Sequence, residues 1–205
     1  MIQSNQNEPA KTIRDEYAER TRAEILKSAR EVFAQTGFAA SSLQQIAKRA
    51  GVTRGALYHH FKNKEDIFLA VFCLLQAEMI EKLGEGTATQ SKGDWTDMSA
   101  ILSAFLENSQ DEEYRQIVLI EGPGALGWAQ WRKVEEEYAL GFIGDLIDGL
   151  QEKGQIIAAN RDALATMVLG LTIESSLALA MNNGAYKAAD IHQIAERMVF
   201  SLRNE

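Results

Sequence analysis

Residues 42–61, SLQQIAKRAGVTRGALYHHF, read as two short helices meeting at a glycine, and that junction constrains the fold more than any other stretch. Ser42 stands three residues ahead of Gln45, the spacing of a capping box that opens a helix. Leu43, Ile46, Ala47 and Ala50 recur at helical spacing and predict one buried stripe. Gly51 follows where the helix must stop, because glycine enters the left-handed turn conformation without a Cβ clash. Val52 is expected to plug the turn and Thr53 to cap a second helix, with Leu57 and Phe61 facing the same core. A helix-turn-helix results, whose second helix, about Arg54–His60, is sized for the major groove of double-stranded DNA.

The flanks narrow the reading. An amphipathic helix over about Tyr17–Thr36 precedes the pair and ends at Gly37, with Phe38 packing back. Phe61-Lys62-Asn63-Lys64-Glu65-Asp66-Ile67 turns into another long helix. Residues 18–72 resemble the N-terminal domain of the TetR family of transcriptional regulators. The resemblance is carried by Ile25-Leu26, Ala29, Phe33, Gly37-Phe38, Ser42-Leu43, Ile46-Ala47, Ala50-Gly51-Val52, Gly55, Leu57-Tyr58-His59-His60-Phe61 and Lys62-Asn63-Lys64. The rest of the chain is similar to the family in length and helical order.

The net charge of −8 conflicts with DNA binding until it is divided. Residues 1–65 hold 11 Lys+Arg against 7 Asp+Glu, a surplus of +4, and residues 66–205 hold 10 against 22, a deficit of −12. A basic head on an acidic body can still approach a polyanion, because local potential governs close contact. Nonspecific binding should be weak and salt-sensitive. Cys73 is the only cysteine, which excludes internal disulfides and multi-cysteine zinc sites and fits a reducing cytosol; simple packing is its expected role, redox sensing the alternative. With no uninterrupted run of 18 apolar residues and a polar start, neither a membrane span nor a signal peptide is expected, and the location expected is cytoplasmic.

The chain predicts an all-α fold of about nine helices: 11–36, 43–50, 54–60, 65–84, 95–109, 112–121, 126–153, 161–182 and 190–203. Breaks are expected from Gly84 to Asp94, at Gly122-Pro123-Gly124 (the sharpest, since it should continue no helix), between Gly154 and Asn160, and at Asn182-Asn183-Gly184. Residues 1–10 read as a polar disordered tail, 11–64 as the DNA-binding domain, and 65–205 as a ligand-binding and dimerisation domain. The boundary is placed inside the helix 65–84, which links the two domains in TetR-like proteins.

Candidate DNA contacts are Ser42, Thr53, Arg54, Gly55, Ala56, Tyr58, His59 and Lys64. Arg54 can reach guanine O6 and N7 bidentately, or else meet a phosphate or a surface carboxylate. Gly55 and Ala56 permit close approach to bases, and the Ala56 methyl can touch a thymine. The resemblance assigns DNA contact to Tyr58 and His59, with core packing as the alternative; His60 divides between a phosphate contact and a structural hydrogen bond. Lys64 opens a helix, where its ammonium and the free backbone N–H groups would both favour phosphate. Ser42 and Thr53 are caps and candidate phosphate donors at once. Lys48 and Arg49 read as backbone contacts or as solvated charges. Adjacent helical residues diverge too far for His59 and His60 to share a metal ion.

The last two helices are the expected homodimer interface, through Leu164, Val168, Leu171, Ser175 and Ala178, with Ile191, Ile194, Met198 and Leu202. Dimerisation through a four-helix bundle of these elements is what the resemblance implies; service to the monomer's own core is the alternative. The resemblance also implies a small-molecule effector that releases DNA. An effector pocket is expected among Phe105, Ile117, Glu121, Trp128, Trp131 and Glu174, favouring cationic or amphipathic aromatic ligands, since a carboxylate drawn into an apolar setting needs a partner. Glu135-Glu136-Glu137 reads as a solvated helical face. No Gly-rich phosphate loop, metal-ligand cluster or nucleophile–base pair appears, so neither an enzyme nor a cofactor is expected. The expected function is a ligand-responsive repressor bound as a dimer to a palindromic operator; the alternatives are an activator of the same fold and an adaptor that no longer reads DNA.

Overall fold

The computed structural model of the chain describes residues 12–87 and 95–204. The tail expected over residues 1–10 lies outside that range, as does the part of the first break that covers residues 88–94. Helix α1 (Ile13–Ala40) starts at Thr12, whose hydroxyl accepts from the Asp15 N–H while Asp15 accepts from the Thr12 N–H. Its buried residues Ile25, Leu26, Ala29, Val32 and Phe33 recur at three- to four-residue spacing and face α4 (Lys64–Thr87). At Gly37 (φ 74°, ψ 167°) the helix bends, and Phe38 returns to lie edge-on to Phe68 with ring centres 5.0 Å apart. Between α1 and α4 run the two short helices α2 (Leu43–Arg49) and α3 (Arg54–His60), at the predicted places.

Helix α4 continues through Gly84-Glu85-Gly86, beyond its predicted end. Glycine costs a helix about 1 kcal/mol but does not stop it. After α5 (Trp95–Asn108) comes a nearly continuous helical stretch made of α6 (Glu112–Tyr114), a π-helical segment (Arg115–Glu121) and α7 (Gly122–Leu126). The Gly122-Pro123-Gly124 break is therefore corrected: these residues are helical, and the chain turns at Gly127 (φ 76°, ψ 149°). Pro123 sits in the first turn of α7, where a missing N–H is tolerated. Gly122 serves instead to admit neighbours, since a Cβ there would lie 2.9 Å from Trp131 and 3.0 Å from Phe72.

Helices α8 (Trp128–Glu152), α9 (Arg161–Ala180) and α10 (Ala188–Phe200) complete the fold. The breaks at Gly154–Asn160 and Asn182–Gly184 stand; Asn160 caps α9 by accepting from the Ala163 N–H at 3.0 Å. Arg161 lies across Gly144, leaving no room for a side chain, and is held by Asp145, Asp148 and Asp162. Among the described residues the only strand-like pairing is the bridge between Ile156 and Arg203, so the fold is all-α as expected. One apolar core runs from Ile25 on α1 to Val199 on α10. By length and composition α9 alone among the described helices could cross a membrane, but half of that stretch is buried inside the protein.

Helices α1 and α6 are pinned together beside α4. Arg30 of α1 donates to both carboxylate oxygens of Glu78 on α4, at 2.7 and 2.9 Å, and its other terminal nitrogen lies 2.6 Å from Glu113 on α6. The two carboxylates hold the guanidinium pKa above its usual value, against the opposing effect of burial.

Candidate nucleic-acid interface and effector cavity

The helix-turn-helix is built by local hydrogen bonds that the sequence spells out. Ser42 Oγ accepts from the Gln45 N–H at 3.3 Å, and Gln45 Oε1 accepts from the Ser42 N–H at 2.8 Å. At the turn, Val52 N–H reaches the Ala47 carbonyl at 3.0 Å and Gly51 N–H that of Lys48 at 3.3 Å, the paired closure of a Schellman end. Thr53 Oγ1 accepts from the Ala56 N–H at 3.1 Å and opens α3. Leu57, fully buried, fixes the rotation of α3, so Arg54, Gly55, Tyr58 and His59 face outward.

That outward face has an internal order. The Arg54 guanidinium lies 5.5 Å from the centre of the Tyr58 ring and donates to its hydroxyl at 3.3 Å. Around Gly55 a Cβ would meet nothing closer than Thr53 Oγ1 at 3.9 Å, so the protein itself leaves that surface clear. Ala56 is half-buried and Thr53 exposed. His60 is half-buried, and burial, aided by the positive potential of His59 and Arg22, pushes its pKa down. Arg49 is engaged by Glu31 at 2.5 Å, while Lys48 is exposed.

Lys64 is corrected. Its ammonium turns inward, donating to the carbonyls of Phe38 at 2.6 Å and Ser41 at 2.9 Å and lying 4.3 Å from the centre of the Phe38 ring. The carbonyls left open where α1 ends outcompete solvent for this charge, so Lys64 fastens α4 to the end of α1 instead of reaching out for phosphate.

The expected effector pocket does not assemble. Trp128 is 63% exposed and Glu174 is exposed; Trp131 and Ile117 are fully buried in the core, with the Trp131 indole donating to the Val118 carbonyl at 3.1 Å. Glu121 accepts from Gln116 at 3.2 Å and abuts Gly37. Of the six expected residues only Phe105 lines the apolar cavity that is present. Its wall comes from five helices and includes Ile80, Met98, Phe142, Val168 and Val199, with about 20 Å³ free inside. Thr172 supplies a wall hydroxyl, which is spent on the Val168 carbonyl at 2.8 Å. Among the described residues no carboxylate lines this space, so the charge-selective pocket around Glu121 and Glu174 is withdrawn.

A carboxylate is nevertheless buried, and sequence reasoning missed it. Glu135 is 2% exposed, not part of a solvated face, and accepts from Gln76 Nε2 at 2.5 Å. Gln76 in turn accepts at Oε1 from the hydroxyl of buried Tyr114 at 3.2 Å. Burial pushes the Glu135 pKa up to about 7, partly offset by Gln76 and Arg132. The available signal was phase, because Trp131, Glu135, Ala139 and Phe142 lie on one helical stripe. Cys73 is half-buried, and burial pushes its thiol pKa up, which favours packing over reactivity. Among the described residues no three His, Cys, Asp or Glu side chains are placed to hold a metal ion.

The expected dimer contacts divide. Leu164, Val168 and Ser175 are buried within the monomer and are withdrawn, because the core-facing side of α9 claims them. Leu171, Ala178, Ile191 and Leu202 are half-buried, and Ile194 and Met198 are more than half exposed. The outer side of α9 adds Met167 at 72% and Met181 at 71% exposure.

Comparison with known proteins matches this architecture at both ends. The sequence pattern of bacterial regulatory proteins, tetR family, covers residues 25–71, and that of the tetracyclin repressor-like C-terminal domain covers residues 95–202. The fatty acid metabolism regulator protein of Bacillus subtilis is 42% identical over 188 residues, 89% of this chain and 95% of that one. A TetR-family transcriptional regulator from Pectobacterium atrosepticum superimposes with a TM-score of 0.83 at 31% identity, over 95% of this chain and 99% of that one. FadR from Bacillus subtilis, solved in complex with stearoyl-CoA, shares the fold at a TM-score of 0.66 and 22% identity, over 87% and 97% of the two chains. With a capped helix-turn-helix at one end and a matching helical body at the other, the chain belongs to the TetR family of bacterial transcriptional regulators, proteins that bind DNA and are not enzymes.

Proposed function

We propose that this chain is a cytoplasmic repressor that binds a palindromic operator as a homodimer and leaves it when a small molecule with an apolar body enters the C-terminal helices. The observation that carries the reading is the outward face of α3, where Arg54, Gly55, Tyr58 and His59 are presented by caps and a buried Leu57 while no other element among the described residues covers Gly55. Residues 11–64 act as the reading head and residues 65–205 as the sensing and pairing body, with α4 as the rigid link. Two heads related by a two-fold axis would read half-sites roughly 34–36 Å apart, or a whole number of helical turns.

Effector entry is coupled to shape. The cavity holds about 20 Å³, room for little more than one water, so any organic ligand must part the helices around it. The ligand then favours the wider state by its differential affinity. Because α4 both lines the cavity and begins at the head, widening is expected to change the distance between paired recognition helices. The apolar wall, and a relative named for fatty acid metabolism, support a ligand with an alkyl or aryl body.

Selection of the purified protein against a random DNA duplex library tests the reading. An enriched inverted repeat, lost by the folded Arg54→Ala/Tyr58→Ala variant, is the expected result. A folded dimer that enriches nothing would overturn it.

A further inference from the structure

Among the described residues Glu135 is the only charged side chain that is buried. Its support is thin. One oxygen accepts from Gln76 Nε2, and Arg132, the cation one turn away on α8 that acts on it electrostatically, is engaged with Glu136 at 2.9 Å. The hydrogen bonds run one way, from the Tyr114 hydroxyl to Gln76 and from Gln76 to Glu135. Within the described residues the second Glu135 oxygen accepts from no protein group and the second Gln76 N–H donates to none, and that oxygen is not wholly sealed from solvent. A nearly buried carboxylate held by one hydrogen bond and no ion pair costs stability.

Position suggests a use for it. Gln76 stands one turn before Ile80 on α4, and Glu135 one turn before Ala139 on α8. Ile80 and Ala139 both line the apolar cavity, as do Leu83 and Phe142 further along the same helices. Polar network and cavity therefore succeed one another along the same two helices, as a head-group site and a site for an apolar body would. Tyr114 belongs to α6, whose neighbouring residue Glu113 is paired with Arg30 of the reading head.

We propose that Gln76, Tyr114 and Glu135 form the polar end of the effector site and select a ligand whose head donates hydrogen bonds, a protonated amine ahead of a hydroxyl, on an alkyl or aryl body held by the cavity. This rests on the cavity being the effector site. An ammonium supplies a donor and the opposite charge that Glu135 lacks; a hydroxyl supplies a donor and can accept from Gln76 but brings no charge; a carboxylate head brings like charge against Glu135.

Octylamine, octanol and octanoate share one body and differ in the head, so their affinities for the full-length protein, measured by calorimetry at pH 8 and high salt to screen the acidic surface, separate the two parts. The expected order is amine, then alcohol, then carboxylate, with at least roughly tenfold between the first two, the factor that one charge-assisted contact supplies. In Glu135→Gln the advantage of the amine over the alcohol should vanish. Equal affinity for all three heads in the wild-type protein overturns the head-group site and leaves the cavity standing, as does an amine preference that survives in Glu135→Gln. Failure of all three to bind overturns the cavity as the effector site. The wild-type series decides on its own should the variant not fold.

Discussion

A Cβ placed on Gly37 would lie 2.5 Å from Oε1 of Glu121, so the bend of α1 and the end of the π-helical segment occupy one shared space. Gln116 holds that carboxylate in place at 3.2 Å. Two costs meet in Gly37→Ala. Its backbone (φ 74°, ψ 167°) lies in a region that side chains avoid at about 1–3 kcal/mol, and the new methyl strikes Glu121. We expect Gly37→Ala to lower unfolding stability by about 2–3 kcal/mol in urea titrations. Glu121→Ala should be nearly silent alone and should recover only a minor part of the loss in the double variant. Full recovery would mean that the contact, not the backbone, requires glycine here.

Gly55 makes the opposite prediction. Its neighbours leave space for a methyl, and an alanine in the first turn of α3 is no worse for the helix than glycine. Gly55→Ala should therefore keep or slightly raise the melting temperature while lowering operator affinity by roughly tenfold or more, equivalent to about 1.4 kcal/mol. Gel-shift titration beside thermal denaturation checks both halves. Undiminished affinity would mean that DNA does not approach this face closely.

The reach of the sequence was set by how local each feature is. The Ser42–Gln45 box, the Gly51 turn and the Thr53 cap are closed within a few residues, so spacing alone located them. Lys64 was misread because its partners, the carbonyls of Phe38 and Ser41, lie more than twenty residues back and meet it only in the folded chain. Gly122-Pro123-Gly124 was misread because a π-helical turn before it and Trp131 against it make a helix of residues that alone signal a break. Three successive glutamates read as one solvated face, yet helical phase sends Glu135 inward with Trp131 while Glu137 stays exposed. Leu164 and Val168 show the reverse limit, since an apolar stripe states that a face is covered without saying by what.

Glu135 also gives stability a pH dependence whose sign is fixed. Its pKa rises from the usual 4.5 to about 7 on folding, so the folded state holds a proton that the unfolded state has already released. Below the lower value both states are protonated and nothing is lost; between the two, stability falls as pH rises; above about 7 the loss is complete, at roughly 3 kcal/mol. Glu135→Gln removes the titration. Wild type should match or exceed the variant near pH 5, and the variant should be the more stable by about 1–3 kcal/mol at pH 8. Parallel denaturation curves at every pH would mean that Glu135 ionises normally.

The pairing surface is tested by charge on the outer side of α9 and α10. Met167 and Ile194 are 72% and 56% exposed, so glutamate at either position meets water in the monomer and costs the core nothing. Across a two-fold axis the same substitution meets its own copy, and like charges are forced together in an apolar contact. Met167→Glu/Ile194→Glu should therefore stay helical and thermally stable, yet sediment as a monomer where the wild type is a dimer. Operator affinity should fall by roughly a hundredfold or more, because each head then holds its half-site without the effective concentration that linkage to the other supplies. Val168→Glu, buried in the monomer, should unfold the protein instead, which distinguishes an interface from a core. A Met167→Glu/Ile194→Glu protein that remains dimeric would move the two-fold axis to another face.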